Sequence, residues 1–566
     1  MEKAVSVPLG CPIPFFTNLV VRPCHITTPQ EREEVLKRTE NNPFAFPASM
    51  LLVDYLSDSG STAMIDLQWA AMFRADESYG RNHGYYALQD TVRDTFERGD
   101  NQKRLINKVI IDEPNETWKP NYDADIEGGF VNQGQRQLER PNFFITPQGR
   151  CAENILYLTI RQILDKKNPG KQLKLTIPSN GWFDTTEAHA RSNGIHPVNL
   201  FAPYFSEPFP IEEVGKSNPF KGNIDLVRLE ELIVKEGPEN IPFVLMTITN
   251  NTGAGQPVSM ENIKAAHAIA RKYDLPVWFD AARYAENAFF IHKYEKGYSE
   301  KSIAEITKEM FSYCDGFTMS CKKDGLSNMG GILSFRDKGK FWEKYSTPES
   351  DVGILMKEKQ ILLYGNDSYG GMSGRDIMAL CVGLLQAQSL QYLETRLNQI
   401  QSLCVKLHAE HVPVVLPPGG HAAFIDVNEF FDITVPGIDS SARQEKAKKE
   451  GRKWLGRDIA DFHGQGLVVE LIRRFGIRGC ELGAYAFEWD NKNEADRKGV
   501  VNLVRLAVPR NVLSEDHITF TAKAIGQMYK DRESVPRCRV VRGQHLRLRH
   551  FQCGLEAIYE EGKRLE

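Results

Sequence analysis

Gly316–Phe335 reads GFTMSCKKDGLSNMGGILSF. GFTMS, ending at Ser320, is a short apolar run suited to a buried strand, and GGILSF after Gly330 is a second one. Between them stand two lysines, Lys322 and Lys323, an aspartate and the glycine pair Gly330-Gly331. Upstream, LPVWFDAAR places a strand at Val277 to Phe279, IPFVLMTIT from Ile241 reads as another buried strand, and Ser259 to Tyr273 reads as a helix between them. CAENILYLTIRQILDKK carries Ile155, Leu156, Ile160, Ile163 and Leu164 at helical spacing. Short apolar strands alternating with helices from about Asn142 define an α/β unit with a largely parallel sheet, and helices resume across Asp376 to Val405. Beyond Val405 the strings VPVVL, HAAFIDV and VVNLVRLAVP mix strands with helices, as a smaller α+β domain does. The expected division is an N-terminal arm with part of the small domain over 1–70, a large domain over 71–404 and a small domain over 405–566. Two stretches read as surface insertions: the polar Arg98 to Pro141 and the charge-rich Ser440 to His463.

The 566 residues, 41% of them hydrophobic and 25% charged, suffice for two or three packed domains. A net charge of −4 gives no basic field for nucleic acid or an anionic membrane, so a small-molecule partner is the default. Cys11, Cys24, Cys151, Cys314, Cys321, Cys381, Cys404, Cys480, Cys538 and Cys553 show neither CxxC pairs nor zinc spacing, which reads as reduced thiols. Prolines interrupt the apolar VSVPLGCPIPFF, which also lacks a basic leader, and no apolar run approaches the roughly 20 residues of a membrane span. A cytoplasmic address is expected.

Three features could carry chemistry. A lysine at a strand end, such as Lys323, can form a Schiff base when burial and neighbouring charge lower its basicity, although a KK pair taken alone is usually a solvated turn. Asp280 ends the VWF strand and Arg283 follows it; a carboxylate there can pair with a pyridinium nitrogen while the guanidinium holds a phenolic oxygen, or the two can be a structural ion pair. Gln148-Gly149-Arg150 stands immediately before a helix that begins near Cys151, where backbone N–H groups, a glycine and an arginine make a phosphate seat. Their order, phosphate seat, then aspartate, then lysine, is that of fold-type I pyridoxal-phosphate enzymes.

The strings LSDSGSTAM, QWAAM, ADESYG, TPQGRCAEN, WFDTT, TNNTGAGQPVS, FDAARYAENAFFI, SCKKDGLSNMGG, SYGGMSGRD, GGHAAFIDV and VRLAVPR occur in this order, and over roughly Pro14 to Phe551 the chain resembles the tryptophanase and tyrosine phenol-lyase family. The resemblance implies pyridoxal 5'-phosphate on Lys323, with Gln148, Gly149, Arg150, Ser320 and Lys322 about its phosphate, Phe183 stacked on its ring, Asp280 at its nitrogen, and Asn251 and Arg283 at its phenolic oxygen. It further implies that Arg505 clamps the substrate α-carboxylate, with Ser59 and Asn251 nearby, that Tyr79 is a general acid, and that Tyr369 comes from a neighbouring subunit. Gly60, Glu77 and Asn328 match the positions at which the family binds a monovalent cation, normally potassium, and a homo-oligomer, a homotetramer built as a dimer of dimers, is implied.

Two positions bear on the leaving group. Tyrosine lyases place threonine after the stacking phenylalanine and an arginine in the small domain; this chain has Asp184 and Leu482, the tryptophanase pattern, and His550-Phe551 resembles the tryptophanase C-terminal segment. Asp184 can accept the indole N–H, or cap the helix opening at Thr185. His550 taken by itself reads as a surface or satisfied histidine. The implied reaction is β-elimination of L-tryptophan to indole, pyruvate and ammonium, as in amino-acid catabolism, with Lys323 removing the α-proton and Tyr79, Asp184 and His550 assisting protonation of the leaving ring. The alternatives are a related lyase acting on tyrosine, a substituted tryptophan or an S-substituted cysteine, and a non-catalytic cofactor-binding or assembly module.

Overall fold

The computed structural model describes residues 23, 25–98, 126–367, 371–497 and 500–565. These fall into two compact units: 59–207 with 216–396, and the residues up to 58 with 208–215 and 397–565.

The first unit is built on a seven-stranded sheet. Its strands are β1 (Phe143–Thr146), β2 (Leu175–Ser179), β3 (Ile195–Asn199), β4 (Val244–Thr247), β5 (Val277–Asp280), β6 (Gly316–Ser320) and β7 (Gly331–Phe335), in the spatial order β1-β7-β6-β5-β4-β2-β3. Neighbours from β3 to β6 pair in parallel, and β7 runs antiparallel to both β6 and β1. The mostly parallel α/β architecture read from the sequence is the one observed. Helix α1 (Gly149–Lys167) buries Ile155, Leu156, Ile160 and Ile163 in one cluster with Phe144, Ile177, Leu245 and Leu333 of the strands, so the apolar stripe does what its spacing dictates. Parallel strands bring their C-terminal ends to one edge, which collects Ser179, Thr247, Asp280 and Ser320 there.

The second unit has a three-stranded antiparallel sheet of β8 (Ala422–Asp426), β9 (Cys480–Leu482) and β10 (Leu503–Ala507), in the order β9-β10-β8, and an antiparallel pair of β11 (Arg537–Arg542) and β12 (Gly554–Ile558). Its core gathers Leu36, Phe46, Val53 and Tyr55 with Leu403, Ile425, Leu471, Val504 and Ile525. Val53–Asp54 pairs with Ile477–Arg478, and Asp58 bonds Arg510 at 2.9 Å with both side chains buried. The segment before 59 is thereby tied to the second unit, whereas the sequence places that boundary at 70/71. The other boundary falls at 396/397 instead of 404/405, inside the helix Leu390–Ala409, where periodicity gives no reason to cut.

Three expectations change. VPVVL is not a strand: Val414 makes a single bridge to Ile425, and Pro413 and Pro417 flank a segment that cannot supply a full ladder of N–H donors. Of the 98–141 stretch, 99–125 lies outside the described residues, and 126–141 is not a surface insertion. Phe130 and Val131 are buried, Phe130 lies edge-on to Phe311 and Phe317, and Asn142 Nδ2 donates to the carbonyls of Gly129 (3.0 Å) and Phe335 (2.8 Å). Polar residues there satisfy buried main chain, which composition does not reveal. The charged 440–463 stretch starts as the helix Ser441–Lys449, largely exposed, and ends by placing Ile459 and Phe462 in the core.

Candidate active site

The start of α1 is packed against the end of β6. Gln148 is extended, Gly149 begins the helix, and a Cβ on Gly149 would stand 2.7 Å from Ser320 Cβ and 3.0 Å from Ser320 N. Glycine at 149 is therefore a condition of this approach. Gly331 is equally confined, since its Cβ would meet the Gln148 carbonyl carbon at 2.4 Å. The first N–H groups of α1 have no partner within the helix and carry its positive pole. Arg150 and Lys322 bring two cations to the same place: burial, then the Arg150 charge, holds the Lys322 ammonium below its ordinary value. Burial and Arg150 likewise hold His189 down. Cations gathered over a helix N-terminus are an anion seat.

Beside it lies a second group. Lys323 Nζ is 5.7 Å from the centroid of the Phe183 ring. Asp280 at the end of β5 has its carboxyl pushed up by burial and drawn down by Lys323, by a bond from Ala282 N (3.2 Å) and by Arg283. Arg283 and Asn251 are buried. The loop carrying Asn251 is fastened to the segment leading into Phe183: Asn250 Nδ2 donates to the Asn180 carbonyl (2.6 Å), and Thr252 Oγ1 donates to the Trp182 carbonyl. Gly181 leaves room for this, because a Cβ there would lie 2.2 Å from Asn250 Oδ1.

Phe183 is followed by α2 (Asp184–Ser192). Asp184 is half-buried in its first turn and its Oδ1 accepts from Thr185 N at 2.6 Å. Behind it is a residue the sequence reading passed over, Glu153 of α1. It is 7% exposed and accepts from Thr186 Oγ1 (2.6 Å) and Thr185 Oγ1 (3.3 Å). Burial, then Asp280, pushes its carboxyl up to about 7, Thr186 and Lys323 act the other way, and Asp184 adds to the rise. The signal was present: Glu153, Leu156, Tyr157 and Ile160 share one face of the helix, so this glutamate sits in the apolar stripe.

The remaining expected residues are more dispersed. Asn328 Nδ2 donates to the carbonyls of Gly60 (3.0 Å) and Thr62 (3.2 Å), and Gly60 N donates to the Lys322 carbonyl (2.8 Å), so Gly60, Asn328 and Lys322 are neighbours. Glu77 instead accepts from Gly374 N (2.7 Å) and Arg375 N (3.3 Å) at the start of the helix Gly374–Gln386. Ser59 is half-buried, Tyr79 is 70% exposed, and Tyr369 lies outside the described residues. Among the described residues no cluster of three or more His, Cys, Asp or Glu could hold a metal ion, and no helix is long and apolar enough to cross a membrane.

In the second unit, Arg505 is buried on β10 and its Nη2 donates to the Leu56 carbonyl at 2.9 Å. Leu482 is buried at the end of β9, and His550 is buried between Phe44 and Phe551, with ring centroids at 5.6 and 4.2 Å. Glu481, next to Leu482, is a second residue the sequence reading missed. Its oxygens accept from Tyr485 N (3.1 Å) and Ala486 N (2.8 Å); burial pushes its carboxyl up to about 7 against these bonds and the His550 charge.

A strand-end lysine and aspartate beside an anion seat on a mostly parallel sheet are the outline of a pyridoxal-phosphate enzyme of fold-type I. The family model of the β-eliminating lyases matches residues 54–524, and the chain belongs to that family. It is 33% identical to a probable beta-eliminating lyase of Trichomonas vaginalis (95% of this chain, 97% of that one), 34% to a tyrosine phenol-lyase of Lacrimispora saccharolytica (93% and 92%) and 33% to a tryptophanase of Salinibacter ruber (96% and 96%). With such relatives it is a carbon–carbon lyase; at these identities the leaving group is not decided. An aspartate aminotransferase structure from Thermotoga maritima matches 90% of the chain at 12% identity with a TM-score of 0.48.

The family implies pyridoxal 5'-phosphate and an amino-acid substrate. The residues fit the cofactor: the Gly149 start of α1, Arg150, Lys322 and Ser320 suit a phosphate, and Lys323, Phe183 and Asp280 suit an aldehyde, an aromatic face and a ring nitrogen.

Proposed function

We propose that the chain cleaves L-tryptophan, with one water, to indole, pyruvate and ammonium. The supporting observation is Asp184, a half-buried carboxyl directly after Phe183, in a turn braced by Glu153. When bound, pyridoxal phosphate supplies an electron-withdrawing ring that takes up the electron pair left when the α-proton departs. Gln148, Gly149, Arg150, Ser320 and Lys322 hold its phosphate, Asn251 and Arg283 its phenolic oxygen, and Asp280 keeps its nitrogen protonated. Lys323 takes the α-proton on Nζ. Arg505 grips the substrate carboxylate by a two-pronged contact, with Ser59 and Asn251 beside it. Tyr79 delivers a proton to the indole ring carbon, Asp184 accepts the indole N–H, His550 assists, and Leu482 packs on the apolar ring. Potassium on the carbonyls of Gly60 and Asn328, with Glu77, and assembly into a homo-oligomer complete the reading. Tyr369 is assigned to the neighbour's site.

The test is product release from purified enzyme given L-tryptophan, L-tyrosine or an S-alkyl cysteine in potassium buffer. Indole release is expected to exceed phenol release in kcat/KM by at least about 100-fold, because Leu482 offers a phenolic hydroxyl no polar partner. Asp184→Thr should slow the tryptophan reaction and spare S-alkyl cysteine, whose leaving group needs no ring protonation. Phenol outrunning indole, or equal slowing on both substrates, overturns the reading.

A further inference from the structure

Glu153 has no part in the reaction as assigned above, yet it stands where the groups of the site converge. From α2, Thr186 and Thr185 donate to its two oxygens at 2.6 and 3.3 Å. The charged and titratable groups facing it are Asp184 of α2, Asp280 of β5, Lys323 after β6, and Tyr157 one turn along its own helix. Of these Lys323 alone is a cation, and Asp280 shares it. The carboxyls of Glu153 and Asp280, both pushed up by burial, with the half-buried Asp184 beside them and one ammonium to share, make a costly arrangement, and a proton on one carboxyl relieves it. Glu153 is the one that can carry it, since a threonine hydroxyl at 3.3 Å can accept the acid's proton as readily as donate to it.

We propose that Glu153 is a positioning residue: as a neutral acid it leaves the negative charge to Asp280, and through Thr185 and Thr186 it fixes the turn that presents Phe183 and Asp184. Both carboxyls of the pair thus serve one requirement, a single negative charge at the end of β5. The approach to about 7 that burial and Asp280 impose on Glu153 agrees with this. The assignment rests on Asp280 as the partner of the ring nitrogen and is independent of the choice of tryptophan.

The experiment is an infrared pH titration of the cofactor-loaded full chain between about pH 5 and 8, following protonated-carboxyl absorption. A band lost in this range should be absent from Glu153→Gln. Asp280→Asn, which removes the neighbouring charge, should lower its midpoint by roughly one pH unit. Thr186→Val, nearly isosteric, removes a donor to the carboxylate and should raise the midpoint. In kinetics, Glu153→Gln should keep kcat/KM on the working substrate within about threefold and flatten its pH profile, while Glu153→Ala, which loses the threonine bonds, should cost about tenfold. Because Glu481 contributes a band in the same range, the Glu153 component is read in the Glu481→Gln background; loss of no component on adding Glu153→Gln there, or a midpoint unmoved by both Asp280→Asn and Thr186→Val, overturns the proposal. Cleavage of a different amino acid leaves the infrared result untouched, so the substrate reading and this one fail separately.

Discussion

Each compact unit buries a glutamate whose carboxyl is pushed up to about 7, yet the two are held in opposite ways. Glu481 is bonded by main-chain N–H groups of the turn after β9, and Gly483 in that turn is tight enough that a Cβ would stand 2.8 Å from Glu481 Oε1. Glu153 is bonded by side-chain hydroxyls and faces Asp280, Asp184 and Lys323. Both are buried, and burial is the largest influence on each; the partners differ. A carboxyl satisfied by main chain closes a turn and depends on geometry. One surrounded by titratable side chains sets charge, and its proton is coupled to theirs.

Lys323→Ala should separate the two most strongly. Multiple turnover should fall on the order of a thousandfold or more, because the α-proton loses its base, while the chain still folds and holds cofactor through the phosphate contacts. The same change removes the cation that draws the Glu153 carboxyl down, so its infrared midpoint should rise while that of Glu481 stays. Borohydride reduction of the wild type followed by peptide mapping should label Lys323. A label on Lys322 would reassign the base.

Stability against pH comes next in size. Both glutamates have folded values near 7 against an ordinary 4.5, so the folded chain holds their protons more tightly than the unfolded chain. Their contribution to stability is complete below about pH 4.5 and is lost as pH rises through about 7, by up to about 3 kcal/mol each. Urea unfolding at about pH 5 and pH 8 measures the slope. Glu153→Gln and Glu481→Gln should each flatten it, and the Glu481 variant should do so without altering the pH profile of turnover. A slope unchanged in both variants would mean that neither carboxyl carries a proton near neutrality.

This contrast also shows what a sequence can and cannot disclose. The strand ends at Asp280 and Ser320 and the inward stripe of α1 are local patterns found where the spacing puts them, while the helix itself starts at Gly149, two residues ahead of the expected Cys151. Glu153 is a single glutamate whose meaning lies in residues far along the chain, Asp280 and Lys323, whereas Glu481 is held by the main chain of its own turn, whose geometry no local spacing spells out. The 126–141 segment was misread for the reason that Glu153 was missed, since Asn142 just past its end joins the carbonyl of Gly129 within it to that of Phe335 far along the chain. The boundary at 396/397 was hidden because it lies within one continuous helix. Local periodicity finds elements; long-range polar satisfaction is invisible to it.

The smallest effect is expected at His550. Its charge is the last and weakest of the influences that hold the Glu481 carboxyl down, after the bonds from Ala486, Tyr485 and Gly483. His550→Gln should therefore raise the Glu481 midpoint by less than about one pH unit, equivalent to less than about 1.4 kcal/mol, and steepen the stability slope only slightly. The aromatic contacts with Phe44 and Phe551 are lost in this variant, so His550→Phe serves as a control that keeps a ring in place while removing the imidazole nitrogens with their charge. If both variants shift the midpoint alike, the coupling is electrostatic; a shift in His550→Gln alone would assign it to packing. Indole release measured on the same pair separates the histidine's two roles, since assistance to the leaving ring predicts slower release in both variants, whatever becomes of Glu481.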